Sequence, residues 1–260
     1  MKQSDIHPSA TLGKAVTIGS FVTIQEDVVI GDGTYIGPHV TIMSGSRIGK
    51  HCQIFSGAVI GAGSQDRKST TLTTYVEIGD YTVIREFATL NRGTFGNTVI
   101  GSHVLLMAYV HVAHDCIIED HVTVTNAAQL AGHVQLHHHA VIGGMAAVHQ
   151  FMRVGAYSMV ASKSIVRKDV PPFIKVAREP LRYCGINLVA LQRNGFTKAQ
   201  CDTIYHSYRL IYHSQLLLPL ALEEVDKQVL CTQEKEMILS FIRGSHKGIV
   251  KKNNAYGTIL

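Results

Sequence analysis

A six-residue beat runs through most of the chain and leaves little choice of fold. Ile or Leu opens ten consecutive hexads from Ile6 to Ile60, as in "IGSFVT" and "IGPHVT". The fifth place of each holds a small or β-branched residue: Ala10, Val16, Val22, Val28, Thr34, Val40, Ser46, Cys52, Ala58 and Ser64. Three more hexads begin at Ile78, Ile84 and Leu90, and twelve follow without a gap from Ile100 to Val166, 25 in all. A period of six matches neither the 3.6-residue helix nor the two-residue alternation of an ordinary strand. It does match a short flat strand followed by a corner, with the aliphatic and the small residue both turned inward. Three such units close one 18-residue coil of a triangular prism, so the repeats predict a mainly β fold, a parallel β-helix of roughly eight coils.

The beat breaks twice. Residues 66 to 77, "DRKSTTLTTYVE", keep the spacing from Ile60 to Ile78 but lose the aliphatic start, and "TFGNTV" adds four residues before Ile100. Both breaks predict loops, near 65–77 and 93–99, and loops on a rigid scaffold are where binding and catalysis concentrate. After "RKDVPP" the hexads stop, and helical patterns follow at about 186–193, 198–213, 217–230 and 233–243. Gly195 and Thr197 separate the first two helices, and Gly244 closes the last. The expected organisation is therefore a β-helix over residues 1–170 and an α-helical domain over 171–260.

Composition narrows the function classes. No apolar run approaches the 18 residues of a membrane span, and "MKQSDIHPSA" lacks the basic and apolar regions of a secretory leader, so the expected location is the cytoplasm. Cys52, Cys116, Cys184, Cys201 and Cys231 form no CxxC pair, which suits reduced thiols. Charge is balanced over 1–170, with 12 Lys+Arg against 12 Asp+Glu, whereas 171–260 hold 12 against 7. The whole net charge of +5 thus sits on the C-terminal region. It suits an acidic protein or a phosphorylated ligand rather than a nucleic acid.

The stretch "HVAHDCIIEDHVTVTNAAQLAGHV", residues 111 to 134, carries four histidines. In "VAHDCI" His114 takes the third, outward place; 18 residues on, the same place holds Gly132, and 18 further Gln150. His133 and His149 stand one residue from that column, and His111 just before it. A coiled prism therefore gathers His111, His114, Gly132, His133, His149 and Gln150 on one vertical seam. An imidazole there can take a proton near neutral pH, and a glycine backbone N–H can meet an oxyanion with no side chain in the way. "HHH" at 137–139 spreads around a corner and reads as a solvated turn.

These motifs are specific in combination. "HVAHDC", "LAGHV", "IGGMAAVHQF" and "DVPPF", with "SQDRK" upstream and "GINLVALQRNGF" downstream, resemble the UDP-N-acetylglucosamine acyltransferases of lipid A biosynthesis over nearly the whole chain. The resemblance implies a left-handed coil and a homotrimer with active sites between neighbouring prisms. It also implies transfer of a (R)-3-hydroxyacyl group from acyl carrier protein to the 3-hydroxyl of the sugar nucleotide. The carrier thioester is a co-substrate, and neither a bound cofactor nor a metal is expected. By the same resemblance His114 is the general base, Gly132 the oxyanion glycine and Asp115 a residue able to orient an imidazole. Gln65, Asp66 and Lys68 would reach substrate bound at a neighbouring subunit, His111, His133, His149 and Gln150 would line the cleft, and Asn187 and Arg193 would hold nucleotide or donor groups. Met159 to Ser162, "MVAS", falls where members limit acyl length.

Pro180, Val189 and Asn194 depart from the family pattern, with a histidine, an acidic residue and an arginine expected there. They lie on the nucleotide side and leave room for an amino-sugar acceptor that takes the acyl group on nitrogen. The related N-acyltransferases carry an extra N-terminal domain, for which five residues before Ile6 leave no room. A hexapeptide-repeat carbonic anhydrase would use three seam histidines for zinc, yet it gives the 65–68 loop and the helical tail no role. A non-catalytic scaffold would leave the seam unexplained.

Overall fold

The computed structural model describes residues 4–67 and 72–252. Each of the 25 hexads forms a strand of two to four residues, from Asp5–Ile6 to Ile165–Val166. Consecutive strands belong to three different sheets, and each strand pairs in parallel with the strand three along the chain. The register is the 18-residue coil itself, as in Ile117 to Gln135 to Arg153. The chain is thus a three-sided parallel β-solenoid. Its interior is stacked rows of hexad-opening aliphatics, such as Ile36, Ile54, Ile84, Leu106, Val124 and Ile142, which are fully excluded from solvent. Between them lie the small fifth-place residues, Ala58, Ala88, Ala128, Ala140 and Cys116 among them.

The corners determine where side chains point. At most of them the residue before the fifth place adopts a left-handed conformation, and most of these residues are not glycine, for example His103, His121, His139, Asp115 and His133, with φ between 57° and 60°. Such a backbone costs roughly 1–2 kcal/mol per non-glycine residue. Stacking offsets much of it. Down one corner the rings of His51, Tyr81, His103, His121, His139, Tyr157 and Phe173 form a continuous ladder with centroids 4.7–5.8 Å apart. Aromatic pairs of this kind contribute ~0.5–1.5 kcal/mol beyond burial.

The C-terminal region is less purely helical than its pattern implies. Past residue 170 the prism continues: Ile174–Ala177 extends one sheet beyond Met159–Val160, Arg182–Ile186 returns antiparallel to it, and Lys251–Lys252 adds a last strand beside Arg182 and Tyr183. These short strands lack the hexad signature, so periodicity alone passes over them. Four helices follow: α1 (Leu188–Arg193), α2 (Lys198–His213), α3 (Leu218–Gln228) and α4 (Gln233–Arg243). Thr197 and Gln200 form a reciprocal capping box at the start of α2. The helices close over the prism end through buried Tyr208, whose hydroxyl donates to the Pro172 carbonyl at 2.5 Å. Among the described residues no helix is long and apolar enough to cross a membrane.

Candidate active site

The histidine seam runs along a different corner from the aromatic ladder. His114 is the second residue of the turn Ala113–Cys116, between strands His111–Val112 and Ile117–Ile118. It is 4% exposed. Neighbouring outward residues would ordinarily diverge, but Asp115 has φ of 60°, and that left-handed twist swings its carboxylate back beside the ring. The result is a contact of 2.7 Å between His114 Nδ1 and Asp115 Oδ2.

A second group of donors holds the carboxylate. The backbone N–H groups of Thr94, Phe95 and Gly96 donate to it at 2.9, 3.0 and 2.7 Å, and the Asp115 N–H donates to Thr98 Oγ1. Burial pushes the Asp115 carboxyl up, yet these N–H groups and the His114 ring together outweigh it and hold it below the usual carboxylate range. A charged carboxylate can only accept. Nδ1 of His114 therefore carries the ring proton, and in the neutral imidazole Nε2 is left with its lone pair facing the cleft. Asp66 Oδ2 lies 3.9 Å from that Nε2.

Gly132 stacks one coil away. A Cβ placed on it would lie 2.4 Å from His114 Cε1 and 2.5 Å from Nε2, so the imidazole occupies the room a side chain would need. Its N–H meets no acceptor among the described residues. Beside it, His133 Nε2 is 3.8 Å from Asp115 Oδ2, and the His133 ring stacks on Phe151 at 4.6 Å and meets His114 edge-on at 5.2 Å. His111 hydrogen-bonds Thr89 through Nδ1 at 2.8 Å, and burial lowers its pKa, which favours the neutral ring.

The cleft these groups face is a cavity of about 660 Å³, lined by Gln65, Asp66, His111, His114, Gly132, His149 and Gln150. Gln65 and Asp66 therefore fold back onto their own prism, where the sequence reading sent them to a neighbour. His133 lies around the corner and lines a separate cavity with Phe151 and Arg153. Lys68 lies outside the described residues. Four other expected residues do not reach this cleft within one chain. Asn187 is buried and spends its amide on the Tyr157 carbonyl at 2.9 Å, Arg193 ends α1, and Met159 and Ser162 sit on a different face and corner.

Sequence reasoning missed the floor of the site. The 93–96 segment reads only as an insertion, yet it lies one coil before Asp115 and aims three N–H groups at it. Two glycines bracketing a four-residue insertion under the seam were the available signal. It also missed Gln129, Ala147 and Ile165, which line the cavity at 18-residue steps from His111. Of the "HHH" residues, His137 and His138 share the Glu119 carboxylate and His139 belongs to the ladder.

The donor atoms of His114, Asp115 and His133 lie within 4.8 Å of one another, the spacing of a metal trio. The 2.7 Å contact, however, is a hydrogen-bond distance. A tetrahedral zinc between those two atoms would hold them about 3.4 Å apart, and three N–H groups already occupy the carboxylate. The trio reads as a hydrogen-bonded acid–imidazole pair.

Proteins similar to this chain are numerous. Residues 169–250 match the model of the second domain of UDP-N-acetylglucosamine O-acyltransferases, and residues 97–132 match the bacterial transferase hexapeptide repeat. An acyl-(acyl-carrier-protein)-UDP-N-acetylglucosamine O-acyltransferase of Thiobacillus denitrificans is 38% identical over 190 residues, covering 72% of this chain and 74% of its own. The corresponding protein of Alkalilimnicola ehrlichii is 42% identical over the same span. The crystal structure of a UDP-N-acetylglucosamine acyltransferase from Bacteroides fragilis superposes with a TM-score of 0.94 at 43% identity, over 95% of this chain and 98% of its own. With the repeat, the paired acid and imidazole, the glycine above them and these relatives in agreement, the chain belongs to the UDP-N-acetylglucosamine O-acyltransferase family.

Proposed function

We propose that this protein moves a (R)-3-hydroxyacyl group from acyl carrier protein to the 3-hydroxyl of UDP-N-acetylglucosamine, the first step of lipid A biosynthesis, in the cytoplasm. The observation that carries the reading is the His114–Asp115 pair facing a cavity beneath a glycine that the imidazole itself keeps bare. Nε2 of His114 takes the proton of the sugar hydroxyl as its oxygen attacks the thioester carbonyl. The tetrahedral oxyanion accepts from the Gly132 N–H. As that intermediate collapses the C–S bond breaks, and the His114 imidazolium returns the proton to the leaving thiolate. Asp115 fixes the tautomer throughout and stabilises the imidazolium.

Gln65, Asp66, Lys68, His111, His149 and Gln150 hold the substrates around this centre, with His133 bracing the base. Asn187 and Arg193 lie outside the single-chain cleft, and in the proposed homotrimer they serve the site of a neighbouring copy. Met159 and Ser162 border the acyl track there. The net positive charge of the C-terminal region faces the acidic carrier protein. Product mass analysis tests the assignment, using a panel of acyl carrier protein thioesters with UDP-N-acetylglucosamine and its 3-amino analogue as acceptors. An O-acyl product cleaved by hydroxylamine is expected, with kcat in His114→Ala down at least ~10²-fold. Exclusive turnover of the amino analogue to an amide would replace the acceptor, and the departures at Pro180, Val189 and Asn194 would account for it. Sedimentation as a monomer would remove the shared site.

A further inference from the structure

We propose that Thr94 is a positioning residue that fixes the acceptor-binding loop to the catalytic base, using its backbone for one and its hydroxyl for the other. This rests on the reading of His114 as the base and of the loop bearing Gln65 and Asp66 as holding the acceptor, and adds the part of the structure that sets that loop against the base. Thr94 is buried, 3% exposed, in the inserted loop near 93–99. Its N–H donates to Asp115 Oδ2 at 2.9 Å, on the Nδ1 side of His114. Its hydroxyl donates to Ser64 Oγ at 2.5 Å, and the same Ser64 oxygen accepts the Asp66 N–H at 3.1 Å. Asp66 then presents its carboxylate 3.9 Å from Nε2, on the other side of the ring. One residue thus stands between the two carboxylates that flank the imidazole.

The two loops it joins are excursions from the prism, where no strand ladder sets their position. Neighbouring contacts run the same way: the Asn91 amide donates to the Gly63 carbonyl at 3.0 Å, and Thr74 Oγ1 donates to the Gly93 carbonyl. The loop bearing Gln65 and Asp66 is therefore hung on the insertion that also holds Asp115. Losing the hydroxyl should free the acceptor side while leaving the His114–Asp115 pair, which uses only backbone donors, in place.

Thr94→Val keeps the volume and the N–H and removes the hydroxyl. The affinity for UDP-N-acetylglucosamine, measured by calorimetry, should fall about five- to tenfold, with KM for the acceptor rising alike. KM for the acyl carrier protein thioester and kcat at saturation should stay within about twofold, and Thr94→Ser should restore the acceptor affinity. Ser64→Ala should cause at least as large a loss, since it also removes the acceptor of the Asp66 N–H, and the double variant should be no worse than Ser64→Ala alone, because the Thr94–Ser64 hydrogen bond is already gone there. Unchanged acceptor affinity, a loss confined to kcat, no rescue by serine, or additive losses would each overturn the proposal. Calorimetry repeated in a His114→Ala background separates the two readings: the acceptor loss persists there whether or not His114 is the base, and activity of His114→Ala itself decides the base.

Discussion

Gly132→Ala is the smallest change that should disable the site. Nothing in the backbone at 132 requires glycine, since its φ lies outside the left-handed region, and the three atoms nearest an alanine Cβ there all belong to the His114 ring. Its Cβ would sit 2.4 Å from Cε1, and carbon–carbon contact at ~3.5–4.0 Å would force the ring back by about 1.1–1.6 Å. The imidazole has little room to retreat, with Asp115 at 2.7 Å on Nδ1 and the His133 ring edge-on at 5.2 Å. The ring must abandon the hydrogen bond to Asp115, worth ~1.5–3 kcal/mol with a charged acceptor. A misplacement of ~1 Å costs on the order of 10²-fold in rate, and the oxyanion donor shifts with it, so kcat should fall by ~10²- to 10³-fold. Steady-state kinetics and thermal unfolding read both effects. Gly144→Ala is the control: it stands at the equivalent place of another corner, its Cβ finds no atom nearer than 3.4 Å, and it should keep fold and turnover. Turnover within about threefold of the parent in a folded Gly132→Ala protein, against the ~10²-fold expected, would refute the packing argument and the oxyanion role together.

Asp115→Asn should cut kcat by roughly 10²–10⁴-fold, because an amide opposite Nδ1 no longer dictates the tautomer, and pH-dependent chemical denaturation should show a second effect. The folded carboxyl titrates below its unfolded value, so its stabilising contribution is complete above about pH 4 and is lost as pH falls through the depressed folded pKa; the variant should be less stable at neutral pH and flatter across that acid window, and identical acid limbs would argue against the Asp115 network. For the donor, kcat/KM should fall as salt rises from low to physiological, and Lys251→Glu or Lys252→Glu should lower it by a further ~2–5-fold at low salt. Equal use of acyl-coenzyme A, with no salt dependence, would withdraw the carrier-protein donor.

How much of this was legible in the sequence follows from what generates each feature. The prism was legible because every coil repeats one packing problem: Ile117, Gln135 and Arg153 fall in register by counting 18. The same counting placed Gly132 over His114 and gathered His149 and Gln150. Asp115 was named as able to orient an imidazole, but its hydrogen bond could not be counted out, because outward neighbours diverge in a strand and converge only when the corner residue turns left-handed. Nor was Thr94, whose importance lies in a backbone N–H and in a loop that no period governs. The strands after residue 170 escaped because they pair with the prism end without repeating its hexad. Asn187 and Arg193 follow from resemblance alone, and a single chain gives them no place in the cleft.

The density of histidines in 111–134 has two physical causes. His121 belongs to the ladder with His103 and His139, where a flat ring at a left-handed corner stacks on those of adjacent coils and offsets the backbone strain. His133 occupies a corner of the same kind on another edge and stacks on Phe151 in the same way, but the corner residue one coil before it is Asp115, and the ring on its other side is Phe95 of the insertion, at 6.2 Å. His111 and His114 have no such corner role. One points outward from a strand onto Thr89, and the other fills the space Gly132 leaves. A corner geometry that elsewhere only stabilises the prism thus turns a carboxylate onto an imidazole at one coil, and the insertion beside it supplies the N–H groups that keep that carboxylate charged while buried. Without the insertion the desolvated Asp115 would shift toward its neutral form and the tautomer of His114 would no longer be fixed. In the proposed mechanism, the break in the repeat at 93–99 is therefore what lets His114 serve as the base.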